Sequence, residues 1–407
     1  MKKRVVITAM EVVSSLGTGI DLFWQNLVAG KSGIATLTTY DTSPYPTQFG
    51  GAITDFNLDD YPHLNKPKRY SKATQMAMYC AKKAVEKSGL TTDELKNTGT
   101  IIGTGLGGSP ESEEAYRFFY EGKWRKVPAL TITKGMPNSI ANMIGIECGL
   151  QGKNLTISNA CNSSAEAIGS AFEQIQWGKL PIVVCGGSES MLWESIMSAW
   201  CKLRVMSTQN ETPAHACRPF DLTRDGMVMA DGAAILVLED LDHALARGAK
   251  PIAEIVGFGS CCDAFHITAP SVDGQARAVQ LALDDGKINS NDIQHISAHG
   301  TSTKLNDVTE TNTIKKVFGE RAYDIPTSSI KSMLGHSIGA AGALEIAALA
   351  LTLRDNIIPP TINLHTPDPE CDLDYVPNTA RKQIVDLALS QHFAFGGANC
   401  ALVLKSY

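Results

Sequence analysis

The 407-residue chain has little that would send it to a membrane, to nucleic acid or to an oxidising compartment. Its apolar stretches run about strand length before a glycine or polar residue breaks them, so no helical membrane span is expected. The formal net charge is −6, which argues against bulk nucleic-acid binding, although local basic clusters remain compatible with it. There are ten cysteines, but no two stand in a Cys-x-x-Cys spacing. Most read as small buried hydrophobes, and neither a disulfide framework nor a structural zinc site is expected. The apolar run near the N-terminus is too short for a signal peptide. It reads as a first strand, in a cytosolic protein.

What is present is core material. Hydrophobic residues make up 43% of the chain and charged residues 19%. That is more than a single core usually holds, so two fused halves are expected, over residues 1–252 and 253–407. Short Val/Ile-rich runs alternate with longer helical patterns, which predicts an α/β fold. Strands are expected over 4–8, 99–103, 154–158, 181–185, 233–239, 253–259, 388–393 and 400–405. Helices are expected over 72–89, 163–177, 242–247, 274–285 and 307–318. A faint internal echo supports duplication. Residues 155–161 lead into a small-residue helix over 163–172, and residues 325–331 lead through His336 into another over 339–348. Each unit reads strand, turn, small-residue helix, which puts a site between the halves and close helix packing at the centre.

Three turns carry reactive side chains. Cys161 stands where an apolar run ends and a small-residue helix begins, and a helix N-terminus favours the thiolate, the nucleophilic form. His299 lies in Ala298-His299-Gly300-Thr301-Ser302-Thr303, and His336 in Gly335-His336-Ser337. His295 and His299 have an i, i+4 spacing like a metal pair, but they sit in a strand-like run with no acidic third ligand, so no metal is expected. Gly103-Thr104-Gly105-Leu106-Gly107-Gly108 lacks the glycine spacing and following lysine of a nucleotide loop, so nucleotide binding is not expected there. His266 reads as a structural histidine near the site.

Together with Phe393-Ala394-Phe395-Gly396-Gly397-Ala398-Asn399, these motifs stand in the order found in elongating β-ketoacyl-acyl-carrier-protein synthases, and the chain resembles that family from residue 4 to residue 405. The resemblance implies a thiolase-like, duplicated α-β-α-β-α layered fold and a decarboxylative Claisen condensation. It implies Cys161, His299, His336 and Lys331 as the catalytic group. Cys161 would take an acyl group from a carrier-protein thioester, and two neutral imidazoles would stabilise the enolate left when malonyl-carrier loses CO2. Backbone N–H groups of Cys161 and Phe395 would hold the oxyanion, with Gly396 and Gly397 permitting the sharp turn.

Supporting roles are assigned with alternatives. Lys331 either orients His336 or pairs with Glu310. Asp307 and Glu310, three apart on a predicted helix, share a face and anchor Lys331 and the histidine loop, or are plain N-terminal helix charges. Thr301 and Thr303 either bind pantetheine amides or simply shape the turn. Phe393, Met227 and Leu106 are expected around the substrate. No bound cofactor or metal is implied, since phosphopantetheine arrives on the carrier. The partners implied are an acidic acyl carrier protein and a second subunit, as a homodimer or with a chain-length-factor homologue. Lys66, Lys68, Arg69, Lys72, Arg125, Lys126 and Arg204 are candidates for carrier docking, each cluster being otherwise a solvated face.

The chain departs from the family's usual run, Asn-Ser-Phe-Gly-Phe-Gly-Gly-Thr-Asn, which here reads from Gln391 and His392 to Asn399. Ala394 and Ala398 replace a glycine and a threonine, and Met227 stands where the fatty-acid enzymes usually carry phenylalanine. These changes surround the site without deleting a reactive group. They point to altered acyl preference and lean toward a type II polyketide ketosynthase subunit. Housekeeping fatty-acid elongation is the alternative. A non-catalytic chain-length-factor-like subunit is the reading from another class, which the intact reactive residues oppose.

Overall fold

In a computed structural model of the chain, which describes residues 2–62 and 64–407, the Val/Ile-rich runs become strands with modest changes at their ends. The first strand is the exception. It runs Val5–Ser14, twice the expected length, and is buried along almost all of it. Glu11, beyond the expected end of the strand, is internal to it. Its carboxylate accepts the Ile20 N–H at 2.6 Å and faces Lys87 Nζ at 2.8 Å, so the charge inside the strand is a paired buried group. Helices Ile20–Val28, Ser139–Cys148 and Glu194–Leu203 were not expected, because each is too short for a periodic pattern to show.

Among the described residues one sheet of eleven strands runs through the chain. Ten of its strands lie side by side in the order Thr327–Ser328, His295–Ser297, Leu387–Phe393, Ala398–Ser406, Ala253–Cys262, Val5–Ser14, Gly232–Asp240, Ile182–Glu189, Gly99–Gly103 and Asn154–Ile157, while Gly17–Thr18 pairs with the first strand. The five strands before residue 241 stand in the spatial order third, second, fourth, fifth, first. The five after residue 252 repeat that order. Pairing repeats too: the third, second and fourth strands of each set are parallel, and the rest antiparallel. The two sets meet where Val5 pairs with Ile255.

Two helices fill the centre, α1 (Ser163–Gln176) and α2 (Ala341–Asp355). Both are built from small residues and almost all of α2 is buried, as close packing requires. A Cβ on Gly342 would stand 2.8 Å from the Ala165 Cβ and 2.9 Å from its nitrogen, so only glycine lets the backbones approach this closely. The Ala343 N–H donates to Ser164 Oγ at 2.9 Å across the same seam. The expected small-residue contact between the echoing helices is therefore present, and it brings the two motif turns at the helix starts together.

Candidate functional site

The parallel strands of both sets end on one side of the sheet, and the reactive residues sit on the loops that follow them. Cys161 comes after Asn154–Ile157, in a tight turn over Ala160–Asn162 that runs into α1. His299 follows His295–Ser297, and the loop with Lys331 and His336 follows Thr327–Ser328. Crevices at the carboxyl ends of parallel strands are where such sheets bind ligands. Each turn also holds one residue, not glycine, in the left-handed region: Ala160 at φ 46°, Ser302 at φ 67° and Ile338 at φ 41°. Strain of this kind costs roughly 1–3 kcal/mol per residue and persists only where the surroundings enforce it. At Ala160 the enforcement is visible. Ser163 Oγ accepts the Asn159 N–H at 2.8 Å and donates to Ala160 O at 2.7 Å, closing the turn beside the thiol.

The three side chains converge. One ligand-type atom from each of Cys161, His299 and His336 lies within 4.8 Å of the others, and the imidazole centroids are 5.5 Å apart at 89°. They face a cavity of about 230 Å³ that is also lined by Met227, Thr301, Thr303, Phe393, Phe395, Gly397 and the loop residues Asp263 and His266. Gly396 and Gly397 turn with φ 88° and 76°, and Gly396 N–H donates to Ile267 O at 2.8 Å, so the closing loop is zipped to the His266 loop. Asn162 Nδ2 ties the nucleophile turn to the same region through Ala398 O at 2.8 Å. His266 is on that mouth loop, its Nδ1 accepting the N–H groups of Thr268 and Ala269.

Burial controls the electrostatics. It pushes the Cys161 thiol up to about 12, against the opposing pull of Lys331 and of the backbone N–H groups of Phe395 and Cys161. The sequence predicted a thiolate favoured by the helix start, and desolvation acts the other way and is larger. Burial also holds both imidazoles well below 6.5, helped by Lys331 at each and by His336 and His392 at His299. Both are therefore neutral at pH 7 and each carries one N–H to donate. Neither ring nitrogen of His336 has a hydrogen-bond partner among the described residues, and its backbone is pinned by its N–H to Val228 O at 2.6 Å.

Lys331 differs from expectation in both of its assigned contacts. Its ammonium binds Glu345, not Glu310, and it serves His299, not His336, donating to His299 O at 2.7 Å and lying 3.4 Å from His299 Nδ1. A cation against Nδ1 keeps the lone pair there and the proton on Nε2. Glu310 instead accepts the N–H groups of His299 and Gly300 at 2.7 and 2.8 Å, anchoring the histidine loop from the helix Lys304–Phe318. Asp307, on the same buried face, does not touch Lys331. It accepts the Phe220 N–H at 2.9 Å and faces Arg224, which also binds Asp368 at 2.5 Å. Thr303 lines the cavity and caps the helix that begins at Lys304 by accepting the Asn306 N–H, which is the turn-shaping role expected of it.

Leu106 lies off this cavity and packs against the apolar cluster of Cys161, Met191, Met206, Met227 and Met229. Its loop cannot cradle a phosphate, because Glu189 already accepts the Gly105 and Leu106 N–H groups. Sequence reasoning missed Glu345, Glu189 and His392. Glu345 and Glu189 sit in apolar or small-residue runs, where a lone carboxylate was the available signal, and for His392 the signal was its departure from the family's usual serine at that place in the closing run. Of the expected docking cations, Lys66, Lys68, Arg69, Arg125, Lys126 and Arg204 are exposed. Lys72 is a correction. It binds the fully buried Asp231 at 2.6 Å, so it neutralises an internal carboxylate and is not free for a partner.

Comparison with known proteins gives a consistent picture. The model described as "Beta-ketoacyl synthase, N-terminal domain" matches residues 2–244, and "Beta-ketoacyl synthase, C-terminal domain" matches 252–365. The chain is 40% identical over 410 residues to 3-oxoacyl-[acyl-carrier-protein] synthase 2 of Synechocystis sp., covering 100% of this chain and 99% of that one. It is 40% identical over 413 residues to the tetracenomycin polyketide synthase ketoacyl synthase alpha subunit of Streptomyces glaucescens, covering 99% and 97%. The solved structure "The ishigamide ketosynthase/chain length factor" superposes with a TM-score of 0.94 at 34% identity and full coverage of both chains.

Proposed function

Because the chain belongs to the β-ketoacyl synthase family, and so is a carbon–carbon bond-forming acyltransferase with a thiolase-like fold, we propose a specific division of labour among its residues. Cys161, as thiolate, attacks the thioester carbonyl of an acyl carrier protein. The carbonyl electrons move to oxygen, where the N–H groups of Cys161 and Phe395 receive them. Collapse expels the pantetheine thiolate, which takes up a proton, and leaves acyl-Cys161. Malonyl-carrier then binds, its carboxylate leaves as CO2, and the electron pair of the broken bond forms an enolate. His299 and His336 donate N–H bonds to the enolate oxygen. Its carbon attacks the acyl-Cys161 carbonyl and the cysteine thiolate departs. Lys331 positions His299, and Glu310 holds its loop.

One observation carries this reading: a buried thiol and two neutral imidazoles within 4.8 Å of one another, in one cavity. The exposed Lys66, Lys68, Arg69, Arg125, Lys126 and Arg204 form the docking surface for the acidic carrier, which brings the phosphopantetheine, and the chain holds no cofactor of its own. It divides at 252/253 into two pseudo-repeated halves and works as a dimer, with a second copy or with a chain-length-factor homologue.

For the pathway we favour a type II polyketide ketosynthase subunit. Support comes from the altered closing loop and from a cluster around Cys161 in which Met191, Met197, Met206, Met227 and Met229 adapt readily to an extended chain. Fatty-acid elongation is the second reading, favoured by equal identity to a synthase 2 enzyme. Intact-protein mass spectrometry with a panel of acyl carriers tests both. An acyl adduct on Cys161 that gives way to a product two carbons longer is expected. Preference for saturated chains over oxidised or unsaturated ones would overturn the polyketide assignment. No adduct, even with a partner subunit present, would overturn the catalytic one.

A further inference from the structure

We propose that His392 is a positioning residue for the decarboxylation step, holding Glu345 so that Lys331 keeps His299 in its donating form. The inference rests on the reading of His299 as an enolate donor. His392 lies on Leu387–Phe393 and is 1% exposed. Its Nε2 is 2.9 Å from Ser390 Oγ, two residues away and so on the same strand face. Its Nδ1 is 3.1 Å from Glu345 Oε2. The other oxygen of Glu345 takes the Lys331 ammonium, and Lys331 reaches His299 O and Nδ1. The result is one buried row: Ser390, His392, Glu345, Lys331, His299.

Glu345 Oε2 shows why the imidazole matters. It is buried and makes no hydrogen bond, since the His392 contact is at ion-pair distance but off hydrogen-bond angle. A buried carboxylate oxygen left without a donor is costly, and a small turn of the His392 ring satisfies it. In that arrangement the Ser390 hydroxyl donates to Nε2 and Nδ1–H donates to Glu345. The imidazole N–H thus fixes the carboxylate oxygen that Lys331 leaves free. A carboxylate fixed at both oxygens fixes the ammonium, and the ammonium fixes the His299 tautomer. The same row has the composition of a Ser-His-Glu nucleophilic set, but Ser390 is fully buried, so no acyl donor reaches it.

The test separates the two half-reactions in the full-length protein. Acylation of Cys161 is followed by mass spectrometry, and decarboxylation by CO2 release from malonyl-acyl carrier protein. His392→Leu keeps bulk but removes the donor. Its decarboxylation kcat should fall on the order of ten- to hundredfold, as misplacing a group from outside the reacting centre does. KM for malonyl-carrier and the acylation rate should stay near the parent values. His392→Asn, whose amide N–H reaches where Nδ1–H stood, should restore most of the rate, whereas His392→Gln, whose amide lies toward Ser390, should not. Parent-like decarboxylation in His392→Leu, equal loss in both half-reactions, or equal rates for the Asn and Gln variants would overturn the proposal. If the Leu variant does not fold, the Asn–Gln pair decides. His299→Ala is run alongside: if it decarboxylates normally, the reading of His299 fails, and His392 is not what failed.

Discussion

The two halves of the sheet share one strand order and begin their central helices at the same place, yet they bring opposite chemistry to the site. The turn at Cys161 is made of small residues, and of the backbone N–H groups that act on the thiol one is its own and the other, that of Phe395, comes from the second half. The turns at His299 and His336 sit over a buried ionic layer of Glu310, Asp307, Arg224, Lys331 and Glu345. The cation that opposes burial at the thiol, Lys331, comes from the second half. On the proposed reading the first half supplies the thiol and the second half both imidazoles and most of the buried charge beneath them, and the three side chains come together only where the halves meet.

That contrast can be broken from either side. The largest expected effect is Cys161→Ala, which should abolish condensation while malonyl decarboxylation persists. Loss of decarboxylation as well would show that the thiol half does more than carry the acyl group. His299→Ala and His336→Ala should do the reverse. Each should lower CO2 release about 10²- to 10³-fold, the usual cost of one oxyanion donor, with Cys161 acylation retained. Full turnover in either variant would take the donor role from that imidazole.

Lys331→Met strikes the ionic layer directly. It strands the Glu345 carboxylate, and loss of about 3–5 kcal/mol in denaturant unfolding is expected. A change near zero would mean that Glu345 is satisfied elsewhere. Gly342→Ala presses a methyl into α1 across the seam between halves and should cost about 1–3 kcal/mol, measured the same way.

The pH profiles sharpen the comparison without a mutation. Acylation should climb with pH between 6 and 9, because the thiol's folded value near 12 leaves the thiolate scarce throughout that range. Decarboxylation should stay flat over the same range, because both imidazoles titrate well below 6.5 and remain neutral. A decarboxylation rate that changed through pH 6.5 would mean that an imidazole titrates in the working site. The smallest effect belongs to the surface. Lys66→Glu with Arg69→Glu should weaken carrier binding, more at low salt than at high, and unchanged affinity in a titration would remove that patch from the dock.

Much of this arrangement was legible in particular residues. Alternation of Val/Ile runs with helical patterns located most of the sheet, and glycine, serine and threonine around Cys161, His299 and His336 marked the three turns. Legibility failed where one polar residue interrupts an apolar run. The first strand was expected to stop before Glu11, and Glu345 in its alanine-rich run drew no assignment, because a sequence shows the cost of burying a charge but not the partner that offsets it. Lys331 failed for the same reason. Five residues before His336 it seemed bound to that histidine, while in the fold it reaches His299, thirty-two residues away. Lys72 showed the converse, a cation in a basic cluster that is engaged by a buried aspartate distant in sequence.

The sequence by itself determined the α/β class, the echo between the two motif-bearing helices and the three side chains, Cys161, His299 and His336, that the fold brings together, because local pattern and residue chemistry are written along the chain. Only the tertiary structure decided the protonation preferences of those side chains and the partner of every buried charge. Both depend on desolvation and on distances between residues far apart in sequence. The same thiol that a helix start would ionise on the surface is held neutral by the surroundings the fold closes over it.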